Sequence, residues 1–256
     1  MPDLVSILTV TYNAEAFLEE TIKSVIAQDY PDIEYVIVDG ASSDGTRAIV
    51  DKYRDHIDVF VSEPDKGIYD AINKGIGLCS GRVIKIQNAD DILLPGAVTA
   101  AMETLSSYDP DEPIILIGYS RVIDTAGKVL GRITDKPAIY GFESFNHPGW
   151  FATASVYETY GLYSLDYRIS SDYEYYLRYK TGRGKIVWID RDVACYRQDG
   201  ASSRFEGVRE VAQINRDYYG ALRAWTVRIQ HQGGKMLRPL RRRLRALVGA
   251  RSTDGT

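Results

Sequence analysis

Val83-Ile84-Lys85-Ile86-Gln87-Asn88-Ala89-Asp90-Asp91-Ile92-Leu93-Leu94-Pro95 is the stretch that decides the fold. Its apolar residues Val83, Ile84 and Ile86 predict a buried strand that runs into a polar corner. The adjacent carboxylates of Asp90 and Asp91 follow that strand, where they would suit Mg²⁺ or Mn²⁺. The alternative is a solvated turn, because Asn and Asp favour turn geometry. The spacing alone favours the turn, so the choice between a metal site and a turn depends on the residues elsewhere in the chain.

The composition is that of an ordinary globular protein. The chain has 256 residues with a formal net charge of −4, which predicts one large α/β domain, with or without an appendage, and argues against a nucleic-acid partner. Cys79 and Cys195 lie far apart in the sequence, which favours a reducing compartment. We expect neither a signal peptide nor a membrane span, since no leader pattern and no apolar run of about 18 residues occurs.

The first 95 residues alternate between apolar runs and amphipathic segments. Strands are predicted at Leu4–Val10, Tyr35–Val38, Ile57–Ser62 and from Val83 onward, with helices at Ala14–Gln28, Thr46–Tyr53 and Ile68–Leu78. Such alternation predicts a parallel sheet, and ligands of parallel sheets bind outside the carboxyl ends of the strands. Four polar segments should therefore converge on one edge: Thr11-Tyr12-Asn13, Asp39, Glu63–Gly67 and Asn88–Asp91. No dinucleotide-binding or P-loop glycine pattern follows the first strand.

The second half of the chain loses this alternation and has an α+β character. A helix is predicted from Pro95 to about Tyr108, followed by a strand at Ile114–Tyr119, a hairpin over Ser120–Ile133, a loop at Asn146–Trp150, a strand-like run at Phe151–Val156, a serine-capped helix near Ser170–Arg178 and a strand at Ile186–Ile189. Asp172 and Glu174 fall in the first turn of the serine-capped helix, where the helix dipole favours acids.

The last segment, 206–256, has a charge opposite to that of the rest of the chain. Nine basic residues and no acid occur between Tyr218 and Arg251, and apolar residues that include Trp225 are interleaved with them. This pattern predicts a basic amphipathic helical tail, which could lie on an anionic membrane surface. The alternatives are a solvated helix that packs on its own domain and a helix that touches RNA.

Five motifs stand in a fixed order along the chain: Ser6–Asn13, Ser24–Gln28, Ile37–Thr46, Asp65–Gly75 and Asn88–Asp91. As an ordered set they closely resemble the family 2 glycosyltransferases of the GT-A fold, especially bacterial polysaccharide-assembly members. The resemblance covers roughly residues 4–205. It implies a Rossmann-like α/β fold with a mostly parallel central sheet flanked by helices. Within 1–205 it implies a nucleotide-sugar-binding half, 1–95, and an acceptor and catalytic-base half, 96–205.

The resemblance also implies roles for individual residues. Tyr12 would lie against the base of a nucleotide-sugar, and Asp39 would hydrogen-bond that base. Asn88 replaces the first acid of the family's Asp-x-Asp motif, so the metal would rest on Asp90 or Asp91, with the choice left open. The implied nucleotide-sugar-binding set is Thr11, Tyr12, Asn13, Asp39, Lys66, Asn88 and Asp90.

On the acceptor side, Asp172 resembles the family's general base. His147 resembles the histidine of an acceptor-side loop, with Trp150 beside it, although a buried or capping histidine is an equal alternative. The implied reaction is an inverting transfer from a nucleotide-sugar, of the UDP class, to a glycan or lipid-linked acceptor. It would use Mn²⁺ or Mg²⁺ and take place at the inner face of the cytoplasmic membrane. A sugar nucleotidyltransferase and a non-catalytic glycan-binding module are the alternatives.

Overall fold

The computed structural model describes residues 3–109, 111–134, 146–198 and 205–220. Of these, all residues up to Gly207 belong to one compact unit, and 208–220 belong to a second. The basic residues of the predicted tail, from Arg223 onward, lie outside the described residues. In the part of the chain that is described, no helix is both long and apolar enough to cross a membrane.

The first half of the chain forms the predicted alternation of strands and helices. Its elements are β1 (Val5–Thr11), α1 (Leu18–Ile26), β2 (Ile33–Asp39), α2 (Thr46–Lys52), β3 (Val59–Ser62), α3 (Ile68–Ile76) and β4 (Val83–Asn88), with a short 3₁₀ turn at Arg54–His56. All seven residues of β1 are buried, as expected for a strand that is covered by helices on both faces. Asp44 accepts a hydrogen bond from the Thr46 N–H at the start of α2, at 3.0 Å.

The second half is mixed. Its elements are β5 (Ile92–Leu93), α4 (Ala97–Leu105), β6 (Ile114–Ile123), β7 (Val129–Ile133), a 3₁₀ turn (His147–Gly149), β8 (Trp150–Thr153), α5 (Ala154–Tyr160), α6 (Ser171–Thr181), β9 (Lys185–Arg197) and α7 (Phe205–Tyr219). The strand-like run at Phe151–Val156 ends at Thr153, because the chain turns into α5 there. The final strand is 13 residues long instead of the four predicted.

The predicted serine cap of α6 is wrong. The Ser171 hydroxyl donates to the carbonyl of Ser164, and the Ser170 hydroxyl donates to the carbonyl of Gly207. Both serines therefore fasten the start of α6 to neighbouring segments instead of bonding to the first N–H groups of the helix.

One sheet joins the nine strands: eight follow the order β3-β2-β1-β4-β8-β6-β9-β5, and β7 pairs antiparallel with β6 outside this order. The strands β3, β2, β1 and β4 are all parallel, which confirms the expectation for the first half. The direction changes at β8, which is antiparallel to both β4 and β6. The change marks the boundary between the regular half of the sheet and the mixed half.

The main core lies between the sheet and the helices α1 and α4. Ile7, Ile22 and Tyr35 are among its buried members. On the opposite face of the sheet, α3 packs closely on β1, because a Cβ on Gly75 would come within 2.3 Å of Leu8 Cδ1. Glycine at position 75 therefore sets the distance between this helix and the sheet.

Candidate active site

Four parallel strands end together at one edge of the sheet. Thr11 pairs with Asp39, Asp39 pairs with Ser62, and Val10 pairs with Asn88 in the register of the sheet. The residues that follow these strands are therefore brought to the same edge, as the sequence predicted. This edge lies outside the carboxyl ends of the strands, where ligands of α/β sheets bind.

Tyr12 and Asp65 meet above Gly40 at this edge. A Cβ on Gly40 would lie 2.3 Å from Asp65 Oδ2 and 3.3 Å from the Tyr12 ring, so only glycine allows the two side chains to approach there. Tyr12 is 65% exposed, which is unusual for an aromatic ring. An exposed ring at this edge of the sheet is suited to stacking on a planar base.

Asp39 is buried at the end of β2 and organises the loop that follows. One oxygen accepts from the Ser42 backbone N–H at 3.0 Å and from the Ser62 hydroxyl at 2.7 Å, and the other accepts from the Ser42 hydroxyl. A carboxylate has about four lone-pair positions, so one remains for a further donor. In the structure Asp39 therefore holds the corner together, and its bond to a base stays a prediction.

The Asn13 side chain joins the first loop to the second. Its Oδ1 accepts from the Ser43 backbone N–H at 2.9 Å, and its own backbone N–H donates to the Ser42 hydroxyl at 2.8 Å. Asn13 and Ala41 have positive φ angles of 49° and 61°. Most residues with a Cβ avoid this left-handed conformation for steric reasons. Strained residues of this kind often concentrate at ligand sites, which supports a binding role for this corner.

The loop before α3 exposes Lys66. Its backbone is fixed by two carboxylates: Asp65 accepts from the Gly67 N–H at 2.8 Å, and Asp70 accepts from the Lys66 N–H at 3.0 Å. Gly67 has a φ of 124°, which favours glycine. The loop is thus held in one shape, with the exposed Lys66 directly after Asp65 at this edge.

The two acids at the end of β4 have different surroundings. Asp91 is 2% exposed, and its oxygens accept from the Arg197 backbone N–H at 3.0 Å and from Asn88 Nδ2 at 3.2 Å. Asp90 is only partly buried. The Thr21 hydroxyl on α1 lies 2.9 Å from the carbonyl of Ala89 and 2.8 Å from that of Asp91, which share its one proton, and so it holds the main chain of the turn.

Burial dominates the electrostatics of this turn. It raises the pKa of Asp91 to about 7, and the charge of Asp90 adds to the shift. It also raises the pKa of Asp90, against the opposing effect of the Arg197 guanidinium. Lys85 is fully buried, and burial lowers its pKa to about 7 against the opposing effect of the Asp91 charge. Its Nζ donates to the carbonyls of Ile86 and Pro148.

The turn fits a hard divalent cation that takes few protein ligands. Burial disfavours the ionised form of both carboxyls, and the Asp90 charge disfavours ionisation of Asp91 further. A cation bound on the solvent side of the two carboxyls would stabilise their ionised forms. Because hydrogen bonds already engage both oxygens of Asp91, Asp90 is the better placed ligand. Within the described residues, no group of three or more His, Cys, Asp or Glu side chains is arranged to hold a metal, so solvent or phosphate oxygens would complete the coordination.

Asp172 is tied to the same edge through α3. The Tyr69 hydroxyl lies 3.0 Å from Asp172 Oδ1 and 2.8 Å from the carbonyl of Ile169, two acceptors that share its one proton. The Tyr173 N–H also donates to Asp172 Oδ1. Tyr69 lies in the first turn of α3, directly after the Lys66 loop. The partly buried carboxylate of the predicted base is thus oriented by a residue of the predicted nucleotide-binding half.

His147 and Trp150 lie in a buried aromatic cluster with Tyr163. His147 Nε2 is 2.9 Å from the Tyr163 hydroxyl, and the His147 and Trp150 ring centroids are 5.1 Å apart. Burial, together with the charge of Lys85, lowers the pKa of His147 to about 3, so the ring is neutral at neutral pH. The structure thus gives both residues a packing role, and a contact with an acceptor stays a prediction.

Three residues of this region were not found from the sequence: Lys85, Tyr69 and Arg197. The charge of Lys85 within an apolar strand was a signal that could have been used. Tyr69 belongs to a quoted motif but carries no obvious chemistry by itself. Arg197 bonds to residues more than 70 positions away, so no local pattern marks it.

The comparisons with known proteins agree with this geometry. The model of "Glycosyl transferase family 2" matches residues 6–145. The chain belongs to glycosyl transferase family 2. An uncharacterized glycosyltransferase of Mycobacterium tuberculosis is 33% identical over 178 residues, 68% of each chain. A PGL/p-HBAD biosynthesis glycosyltransferase of Mycobacterium bovis is 26% identical over 202 residues, 77% of this chain and 78% of the relative.

Solved structures confirm the GT-A fold. Staphylococcus aureus TarS 1-349 in complex with UDP-GlcNAc has a TM-score of 0.67 at 17% identity, over 88% of this chain and 70% of that one. The mannosyltransferase PcManGT from Pyrobaculum calidifontis, in complex with GDP-Man and Mn²⁺, has a TM-score of 0.65 at 18% identity, over 100% and 77%. The family 2 chain is therefore a glycosyltransferase, which sets aside the nucleotidyltransferase and the binding module.

Proposed function

We propose that this enzyme transfers a sugar, with inversion, from a UDP-sugar to a hydroxyl of a glycan or lipid-linked acceptor in the assembly of cell-surface polysaccharide. The observation that carries the proposal is the convergence of four strand ends at one edge, to which Tyr69 ties Asp172. A solved structure of the same fold holds UDP-GlcNAc, and a relative is named for PGL/p-HBAD biosynthesis. Both support the donor and acceptor classes.

The donor would lie along this edge. The exposed Tyr12 ring stacks on the base, and Asp39 uses its remaining lone-pair position for a base N–H. Asn88 hydrogen-bonds the ribose. The Lys66 ammonium neutralises part of the diphosphate charge from the loop that Asp65 and Asp70 hold rigid.

Asp90 would be the main carboxylate that holds Mn²⁺ or Mg²⁺, with Asp91 behind it. A cation there supplies Lewis-acid stabilisation of the diphosphate leaving group. Asp91 and Arg197 contribute by fixing the main chain of the turn, and partial burial keeps bulk water from screening Asp90. A structure of the same fold holds Mn²⁺ with its donor, which supports this cofactor.

The transfer itself needs one base. The acceptor oxygen forms a bond to the anomeric carbon while the bond from that carbon to the β-phosphate oxygen breaks. The nucleoside diphosphate leaves with the bonding electrons, and Asp172 takes the proton of the acceptor hydroxyl. A single displacement inverts the anomeric centre, whereas retention would need a second carboxylate placed to attack that carbon.

The test uses purified protein with a panel of UDP- and GDP-sugars, and follows the release of nucleoside diphosphate. We expect Asp172→Asn to lower kcat by about 10²–10⁴-fold and to leave UDP affinity unchanged. Asp166→Asn, an exposed acid in the loop before α6, is the matched control. Normal turnover by the Asp172→Asn enzyme would reject the base, and insensitivity of UDP binding to a chelator would reject the metal.

We also propose that the tail after residue 220 binds the anionic inner face of the cytoplasmic membrane. The support is its charge, nine basic residues and no acid between Tyr218 and Arg251, since each Lys or Arg near such a surface contributes about 1 kcal/mol. Removing the residues after Arg216 should abolish flotation with anionic vesicles. Unchanged flotation of the truncated protein would refute the proposal.

A further inference from the structure

Arg197, the last residue of β9, makes an unusual set of bonds at the Asp90–Asp91 turn. The residue is 2% exposed. Its backbone N–H donates to Asp91 Oδ1 at 3.0 Å, and its Nε donates to the carbonyl of Asp90 at 3.0 Å. The same residue thus bonds the main chain of one acid and the side chain of the other.

The rest of the guanidinium ties the turn to two further segments. Nη1 donates to the carbonyls of Asp124 and Thr125 in the β6–β7 turn at 2.9 and 3.2 Å, and Nη2 donates to Glu20 Oε2 on α1 at 2.7 Å. The guanidinium also lies 4.3 Å from the centroid of the Phe17 ring. Four acceptors in three directions match the planar fork of arginine and cannot be matched by the single Nζ of lysine.

A bond to the Asp90 carbonyl has a specific consequence. The direction of a side chain follows from the peptide planes on either side of it, and Nε fixes one of these planes at Asp90. The other plane, which precedes Asp90, contains the Ala89 carbonyl; the Thr21 hydroxyl lies 2.9 Å from that carbonyl and 2.8 Å from the carbonyl of Asp91, one plane further along the chain. The Asp90 carboxylate therefore projects from a main chain that is bonded at three successive carbonyls, so its direction is set before a ligand binds.

We propose that Arg197 is a positioning residue for the donor site: it orients the Asp90 carboxylate toward the metal and the diphosphate without touching either. This inference rests on the proposed function, because it assumes that a metal–nucleotide complex binds at Asp90. It goes beyond that function because it makes donor affinity depend on a buried residue of the second half of the chain, which lies 106 positions from Asp91.

The test compares Arg197→Lys with Arg178→Lys. Arg178 is a matched control, because it also bonds a carboxylate and two carbonyls, those of Glu174, Tyr160 and Leu162, and stacks on the Tyr175 ring. Its bonds lie at α5 and α6 instead of the β4 turn. Calorimetric titration with UDP and with GDP, each in Mn²⁺ and in EDTA, measures donor-site affinity without turnover, and urea denaturation gives stability.

We expect both variants to be less stable and only Arg197→Lys to bind the nucleotide about tenfold more weakly in Mn²⁺, with affinity in EDTA unchanged. If Arg197→Lys does not fold, Glu20→Ala, which removes one acceptor of the guanidinium, should give a smaller shift in the same direction. Unchanged Mn²⁺-dependent affinity in the folded Arg197 or Glu20 variant overturns the inference. Absence of Mn²⁺-dependent nucleotide binding by the wild-type protein would instead overturn the proposed function and, with it, this inference.

Discussion

Substitutions of the two acids of the β4 turn should have different effects: Asp91→Asn should mainly lower stability, and Asp90→Asn should mainly weaken metal binding. Asp91→Asn keeps the shape of the side chain, but one acceptor becomes a donor. The new amide would face Asn88 Nδ2, which now donates to Asp91 Oδ2 at 3.2 Å, and the buried Lys85 would lose the favourable charge of Asp91. Asp90→Asn changes a carboxylate that is partly exposed and whose ionisation is already disfavoured by burial.

The magnitudes follow from these surroundings. A buried donor left without an acceptor costs about 1–3 kcal/mol, so we expect Asp91→Asn to lower the free energy of unfolding by about 2 kcal/mol. For a domain of this size that is a fall in Tm of about 4–8 °C. Asp90→Asn should change the free energy of unfolding by no more than about 0.5 kcal/mol.

The loss of metal-supported nucleotide binding should be larger for Asp90→Asn than for Asp91→Asn, the reverse of the order for stability. Loss of a ligand carboxylate should weaken Mn²⁺-supported UDP binding by roughly tenfold or more in Asp90→Asn, and by less in Asp91→Asn. Urea denaturation and calorimetric titration on the same protein preparations measure both quantities. The reasoning is refuted if Asp90→Asn loses as much stability as Asp91→Asn, or if Asp91→Asn has the larger loss of metal-supported binding.

Two further predictions concern the acceptor half. Tyr69→Phe removes a hydrogen bond to Asp172 and should lower kcat/KM by about tenfold at unchanged UDP affinity; equal kcat/KM would contradict the orienting role. His147 has a folded pKa of about 3 against about 6.5 unfolded. Unfolding therefore takes up a proton below pH 6.5, and the free energy of unfolding should fall by about 2 kcal/mol between pH 6.5 and pH 5. Urea denaturation should show that His147→Gln flattens this dependence and that exposed His56→Gln does not; a steep His147→Gln profile would refute the assignment.

The parallel half of the fold could be predicted from the sequence for a physical reason. A strand that is covered on both faces is mostly apolar, so β1 and β4 stand out as mainly apolar runs whatever their partners are. The polar residues that follow such strands reach the same edge by topology alone. This is why the edge made by Thr11, Asp39 and Asn88 is found at the ends of the predicted strands, with boundaries shifted by one or two residues.

The mixed half depends on contacts that no local pattern contains. β9 continues to Arg197 because its second part pairs with β6 and β5, strands that lie far away in the sequence. The unequal surroundings of Asp90 and Asp91 likewise come from the Arg197 N–H and from Lys85. A pair of identical residues in adjacent positions offers the sequence no means of telling which is the structural one.

The helix α3 explains how the two halves can share one reaction. Tyr69 and Asn73 are four positions apart and therefore lie on one face of the helix. Tyr69 bonds to Asp172, and Asn73 makes a pair of hydrogen bonds with the backbone of Tyr163, at 2.8 and 2.9 Å. Gly75 lies against Leu8 of β1.

The nine-residue helix α3 thus begins directly after the Lys66 loop. One of its faces bonds to the loop before α6, and another packs on the sheet. Helices are stiff over two or three turns, because each backbone bond is supported by its neighbours. The distance between the donor edge and Asp172 is therefore set by the packing of α3 and not by the loops that surround the site. Loop changes could then alter which acceptor binds while the proposed base, Asp172, keeps its place relative to the proposed donor edge.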